Sequence, residues 1–170
     1  MCPIAGLRIK AVSYAKRGYA ARSNFSGGLT MSKEENIKAQ IRFGDAVNSG
    51  NLADLRNVIS ADSLDNDPSP EQGRGPEGYI RMFTELREAF PDMHVDAVKL
   101  VADDNNVAFA YTLTGTHKGT FMGIPGTGRK ITARGMQISR FENGKLVERW
   151  GSSDQLGILQ QIGAKAQTAG

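Results

Sequence analysis

Cysteine occurs once, at Cys2, so one chain can form neither a disulfide framework nor a cysteine-based zinc site. That usage fits a reducing compartment, and the cytoplasm is the expected location. The two histidines, His94 and His117, are far apart in sequence, and no HExxH run joins a pair for a metal. GxGxxG after a strand, a phosphate loop and GxSxG are missing as well. No apolar run approaches the ~20 residues of a membrane-spanning helix. Acidic residues are absent from positions 1–30, which carry Arg8, Lys10, Lys16, Arg17 and Arg22, while the remaining 140 residues are net negative. The basic balance therefore belongs to the leader. A nucleic-acid partner is not expected, because a binding domain needs its positive charge on the folded face.

What is present fits one domain, expected over residues 31–163, with a leader at 1–30 and a flexible tail at 164–170. The leader reads as a disordered extension, with an organelle transit peptide as the alternative because it is basic and acid-poor. Ser32 followed by Glu35 is a capping-box pattern. Ile37, Ile41, Phe43 and Val47 then recur at roughly helical spacing. Leu52, Leu55, Val58 and Ile59 suggest a short second helix, and a loop through Asn66-Asp67-Pro68 follows. Pro76 fits the first turn of a third helix, whose apolar stripe includes Tyr79, Phe83 and Phe90.

From Met93 the period becomes two. Val107, Phe109, Tyr111 and Leu113 share one face of a strand. Asn143-Gly144 predicts a two-residue hairpin turn between strands near 129–141 and 145–152. Gln155 to Ile162 reads as a short helix closed by Gly163. Helices followed by a β-meander imply an α+β fold with helices on one face of a sheet.

Asp154 lies at the junction of the last strand and helix. Its commonest role there is a helix N-cap. If strand alternation continued, it would share the Trp150 face, where desolvation would tune it for proton transfer. An ideal turn at Asn143-Gly144 would pair Gln137 with Trp150 and Arg140 with Val147, making the Trp150 face a candidate pocket wall. His117 shares a face with Phe109, Tyr111 and Leu113. Asn66 and Asp67 suit turn chemistry. Phe121-Met122-Gly123-Ile124-Pro125 is an apolar patch on a glycine-rich connection, suited to a lid or a subunit contact.

Together, Asp67-Pro68, Gly75-Pro76-Glu77-Gly78, Phe90-Pro91-Asp92, Gly115-Thr116-His117-Lys118-Gly119, Gly123 to Gly128, and Phe141 to Trp150 through Asp154 to Gly163 resemble the SnoaL-like polyketide cyclases, also called ester cyclases. The resemblance covers residues 33–163. It implies a cone-shaped α+β barrel of the nuclear-transport-factor-two-like superfamily, with three helices on a strongly curved antiparallel sheet around a hydrophobic pocket. It also implies homodimers or homotetramers, and a cofactor-free, metal-free intramolecular aldol closure of a hydrophobic carbonyl substrate. The family's Trp-x-x-x-Asp motif falls on Asp154 as acid/base. His117 is its expected companion, with Asn66, Gln137, Trp150, Tyr111, Phe83 and Met122 around the substrate. Asn66 stands where the family often has histidine, and it can donate but not titrate. The alternatives are a non-catalytic small-molecule binder and a hydroxylase or isomerase on the same scaffold.

Overall fold

The computed structural model describes residues 32–164; the expectations for the leader, and for all of the tail but Ala164, fall outside that range. Helix α1 (Lys33–Ser49) starts at the capping box: Ser32 Oγ accepts from Glu35 N at 3.3 Å, and Glu35 Oε2 accepts from Ser32 N at 2.8 Å. A single 3-10 turn (Leu52–Asp54) and α2 (Leu55–Val58) follow. Next comes an element absent from the sequence reading, strand β1 (Ile59–Asp65). The order continues with α3 (Gly75–Ala89), β2 (His94–Ala102), β3 (Asn106–Thr116), β4 (Lys130–Glu142), β5 (Lys145–Ser153) and α4 (Gln155–Ile162). No described helix is long and apolar enough to cross a membrane.

The five strands form one sheet in the order β1-β5-β4-β3-β2. The expected all-antiparallel sheet is corrected here: β1 runs parallel to β5, and β1 and β2 remain as unpaired edges, so the sheet is open. β1 escapes the alternation test because two of its buried residues, Ser63 and Asp65, are polar. Its close approach to α3 depends on Gly75, which has φ +70°; a Cβ there would stand 2.3 Å from the Ala61 carbonyl oxygen.

The helices cover the concave face, where Phe43, Val47, Leu55, Tyr79, Phe90, Leu113, Ile131, Phe141, Leu146 and Ile158 belong to one buried cluster. On β4 the burial alternates strictly, with Ile131, Ala133, Gly135, Gln137, Ser139 and Phe141 inward. Asn143 and Gly144 both have positive φ, 50° and 75°, as a type I′ turn requires, and Glu142 pairs with Lys145. The next pairs are Phe141–Leu146 and then Arg140–Glu148. Val147 is thus a bulge residue, and the register beyond it shifts by one. Trp150 therefore pairs with Ile138, not Gln137, and Arg140 pairs with Glu148, not Val147. A one-residue slip reverses every side chain beyond it. Arg149 turns inward, and Trp150 turns to the outer face.

Candidate active site

A cavity of about 790 Å³ lies between the sheet and the helices. Its walls are Phe43, Met82, Phe83, Leu86, Met93, Phe109, Leu113 and Ile158. The loops at 67–70 and 120–122 complete it, and exposed Ile41, Pro68 and Met122 mark its mouth. A mostly apolar hollow of this size suits a drug-sized, largely hydrophobic ligand.

One end is polar, and Arg149 is its centre. The side chain is 12% exposed, and Arg149 Nη1 donates to Asp65 Oδ1 at 3.0 Å and Oδ2 at 2.8 Å. Nε donates to Gln137 Oε1 at 2.9 Å. Gln137 Nε2 in turn donates to Ser139 Oγ at 2.7 Å. Asp65, whose side chain is 1% exposed, also accepts from Gln72 Nε2 at 2.9 Å and from the backbone N–H of Asp67 at 3.1 Å. These bonds compensate a carboxylate whose unpaired burial would be costly.

The remaining guanidinium nitrogen, Nη2, makes no hydrogen bond among the described residues. It lies over Gly151, where a Cβ would come within 2.2 Å of it. The fold thus holds two sides of a guanidinium rigid and leaves the third as an unused donor. Tyr111 lies beside it, and its ring occupies the space a Gly135 side chain would take. Burial pushes the Tyr111 hydroxyl up, against the opposing pull of Arg149. Burial first, and the Asp65 charge second, push the Tyr79 hydroxyl up as well. Both tyrosines therefore stay neutral near pH 7 and present hydroxyls, not phenolates.

The residues singled out from sequence divide in two. Gln137, Tyr111, Phe83 and Met122 line the cavity. Asp154, His117, Asn66 and Trp150 do not. Asp154 is solvent-exposed and accepts from Gly157 N at 2.8 Å as the N-cap of α4. Its neighbours Ser153 and Gln155 reach the cavity, while Asp154 borders an adjoining hollow with Val98, Thr112, Arg134 and Met136, which meets the cavity at Tyr111 and Ser153. Asp154→Ala is expected to cost about 1 kcal/mol in a denaturant melt, with Asp154→Asn close to neutral, since Asn caps nearly as well.

His117 is fully buried against Phe90, with ring centroids 5.3 Å apart and Nδ1 3.1 Å from Thr127 Oγ1. It anchors the 117–128 connection from behind, in the core. Asn66 is exposed, and its Nδ2 donates to the Arg149 carbonyl at 3.0 Å. Trp150 lies on the outer face by the register shift described above. Sequence reasoning missed Arg149, Asp65 and Asp67. The bulge that turns Arg149 inward falls on a valine, which carries no turn signal of its own.

The same cavity-bearing body matches the SnoaL-like polyketide cyclase family profile over residues 38–162. The chain belongs to that family. Among curated SnoaL-like cyclases, it is 29% identical over 126 residues to the aklanonic acid methyl ester cyclase DnrD of Streptomyces peucetius, covering 72% of this chain and 86% of that one. It is 26% identical over 121 residues to the nogalonic acid methyl ester cyclase of Streptomyces nogalater, covering 69% and 90% respectively. TsrD from Streptomyces laurentii superposes with a TM-score of 0.73 at 24% identity, over 79% of this chain and 99% of that one. A SnoaL-like polyketide cyclase from Agrobacterium tumefaciens superposes with a TM-score of 0.64 at 25% identity, over 75% and 98%. These neighbours share the cone fold.

Proposed function

We propose that this SnoaL-like protein closes a ring in a hydrophobic, carbonyl-rich polyketide ester by intramolecular aldol addition, working in a reducing compartment such as the cytoplasm. The observation that carries this reading is the unused Arg149 Nη2 at the polar end of a mostly apolar cavity. Closing such a ring requires removing a proton beside one carbonyl, and the resulting enolate oxygen needs a donor. A guanidinium already fixed by Asp65 and Gln137 needs no reorganisation when that charge develops. The cavity wall folds the flexible substrate so that its enolate carbon meets a second carbonyl, and proximity supplies much of the acceleration. The Tyr111 hydroxyl is a second donor at the same end.

The test is incubation with aklanonic acid methyl ester, the compound in the name of the DnrD relative. The expected product has unchanged mass and a new carbon–carbon bond, read by carbon NMR. Binding without conversion would instead identify a non-catalytic carrier.

The outer face supports a homodimer. Val98, Val101, Met136, Ile138 and Trp150 are exposed there across β2, β4 and β5, and contiguous exposed apolar surface of this kind marks interaction sites. Sedimentation is expected to give a dimer for the wild type and a monomer for Met136→Glu/Ile138→Lys. A monomeric wild type would refute it.

A further inference from the structure

We propose that Asp67 is the residue that carries the proton in this site. This rests on the ring-closing reading above and names its acid/base. Among the described residues, three carboxylates line the cavity: Asp45, Asp67 and Glu85. Glu85 is engaged by Arg81 Nε at 3.0 Å, with both side chains more than half exposed at the rim. Asp45 is exposed on α1. Asp67 alone reaches the polar end. Its Oδ2 accepts from the Gly151 backbone N–H at 3.0 Å, and its own N–H donates to Asp65 Oδ1 at 3.1 Å. Pro68 restricts the preceding residue to extended backbone, so Asp67 is held from three sides.

Its other oxygen, Oδ1, makes no hydrogen bond among the described residues. Gly151 touches both Asp67 and Arg149: its N–H donates to Asp67 Oδ2, and the Arg149 guanidinium packs into the space that a side chain at Gly151 would take. A ketone bound at this end of the cavity presents its oxygen to Arg149 Nη2 and an adjacent C–H to Asp67 Oδ1. Asp67 takes that proton, and the C–H electron pair becomes the enolate. The enolate carbon bonds to the second carbonyl carbon, whose π pair moves onto its oxygen. The new alkoxide recovers the proton from Asp67. Nothing is oxidised or reduced, and no co-reactant is consumed. Asp67 is solvent-exposed at the cavity's polar end, where a large apolar substrate covers it.

The test follows exchange of the α-protons of 1-tetralone in D2O by proton NMR, with wild type, Asp67→Asn and Asp154→Asn. Asn keeps the shape of Asp67 and can still accept from Gly151 N, and melting curves confirm that each variant is folded. The expected result is acceleration by the wild type, a loss of about a hundredfold or more in Asp67→Asn, and unchanged 1-tetralone affinity. Wild-type exchange in Asp67→Asn, or loss of exchange in Asp154→Asn alone, would overturn the proposal, as would a wild type no faster than buffer. Asp67-dependent exchange without ring closure of aklanonic acid methyl ester would leave Asp67 as proton carrier and refute the cyclase reading instead.

Discussion

Arg149→Met is expected to slow ring closure by about a hundredfold or more, the cost of losing one well-placed donor to a developing oxyanion. The same substitution should lower stability by about 3–5 kcal/mol, because Asp65 is left buried without its counter-charge. The two effects can be separated. Removing both charges, in Asp65→Leu/Arg149→Met, takes away the unpaired group, and apolar replacement of a buried ion pair is commonly neutral or stabilising. Urea melts should therefore show much of the lost stability returning in the double variant, while single-turnover rates stay low. A double variant that regained activity with its stability would make Arg149 a structural residue only.

Gly44 separates the two effects in another way. It sits in the middle of α1 and lines the cavity, and a Cβ there would meet nothing within 4 Å. Gly44→Ala should stabilise the protein by about 0.5–1 kcal/mol, since glycine weakens a helix interior. That corresponds to a rise of about 2–4 °C or less in melting temperature for a chain of this size. Gly44→Phe fills the space where substrate must lie, so kcat/KM should fall at least about tenfold while the protein stays folded. A fully active Gly44→Phe protein would place the substrate elsewhere.

Local chemistry made much of the fold legible from sequence. Ser32 with Glu35, Asn143-Gly144 and Gly163 each specify a conformation by their own side chains or lack of them, and each is found in that role. The inward face of β3 was legible for a related reason, because Val107, Phe109, Tyr111 and Leu113 are apolar at period two. β1 was not, since its inward Ser63 and Asp65 mimic a polar loop until the partner Arg149 is placed 84 positions away in sequence. The candidate site was half legible. Tyr111, Phe83 and Met122 follow from strand parity, helix stripe and loop composition, whereas Gln137 is singled out through a pairing with Trp150 that the bulge removes. Beyond Val147, parity inverts. The Trp150 face becomes outer surface, and the charged residue beside it becomes the centre of the cavity's polar end. His117 shows a limit of parity of another kind: it continues the inward face of β3, yet past the strand end that face meets Phe90 and Thr127, not the cavity.

The cavity and the hollow beside Asp154 adjoin at Tyr111 and Ser153, but Arg149, Phe83 and Phe109 line only the cavity and Asp154 only the hollow, so a bound ligand discriminates between them. The decisive measurement is a crystal structure with a non-enolisable aromatic diketone. The expected electron density fills the space between Phe83, Phe109 and Leu113, with one carbonyl oxygen at about 3 Å, hydrogen-bond distance, from Arg149 Nη2 and its neighbouring carbon facing Asp67. A diketone seated beside Asp154 on the outer face, with the Arg149 cavity unoccupied, would contradict it.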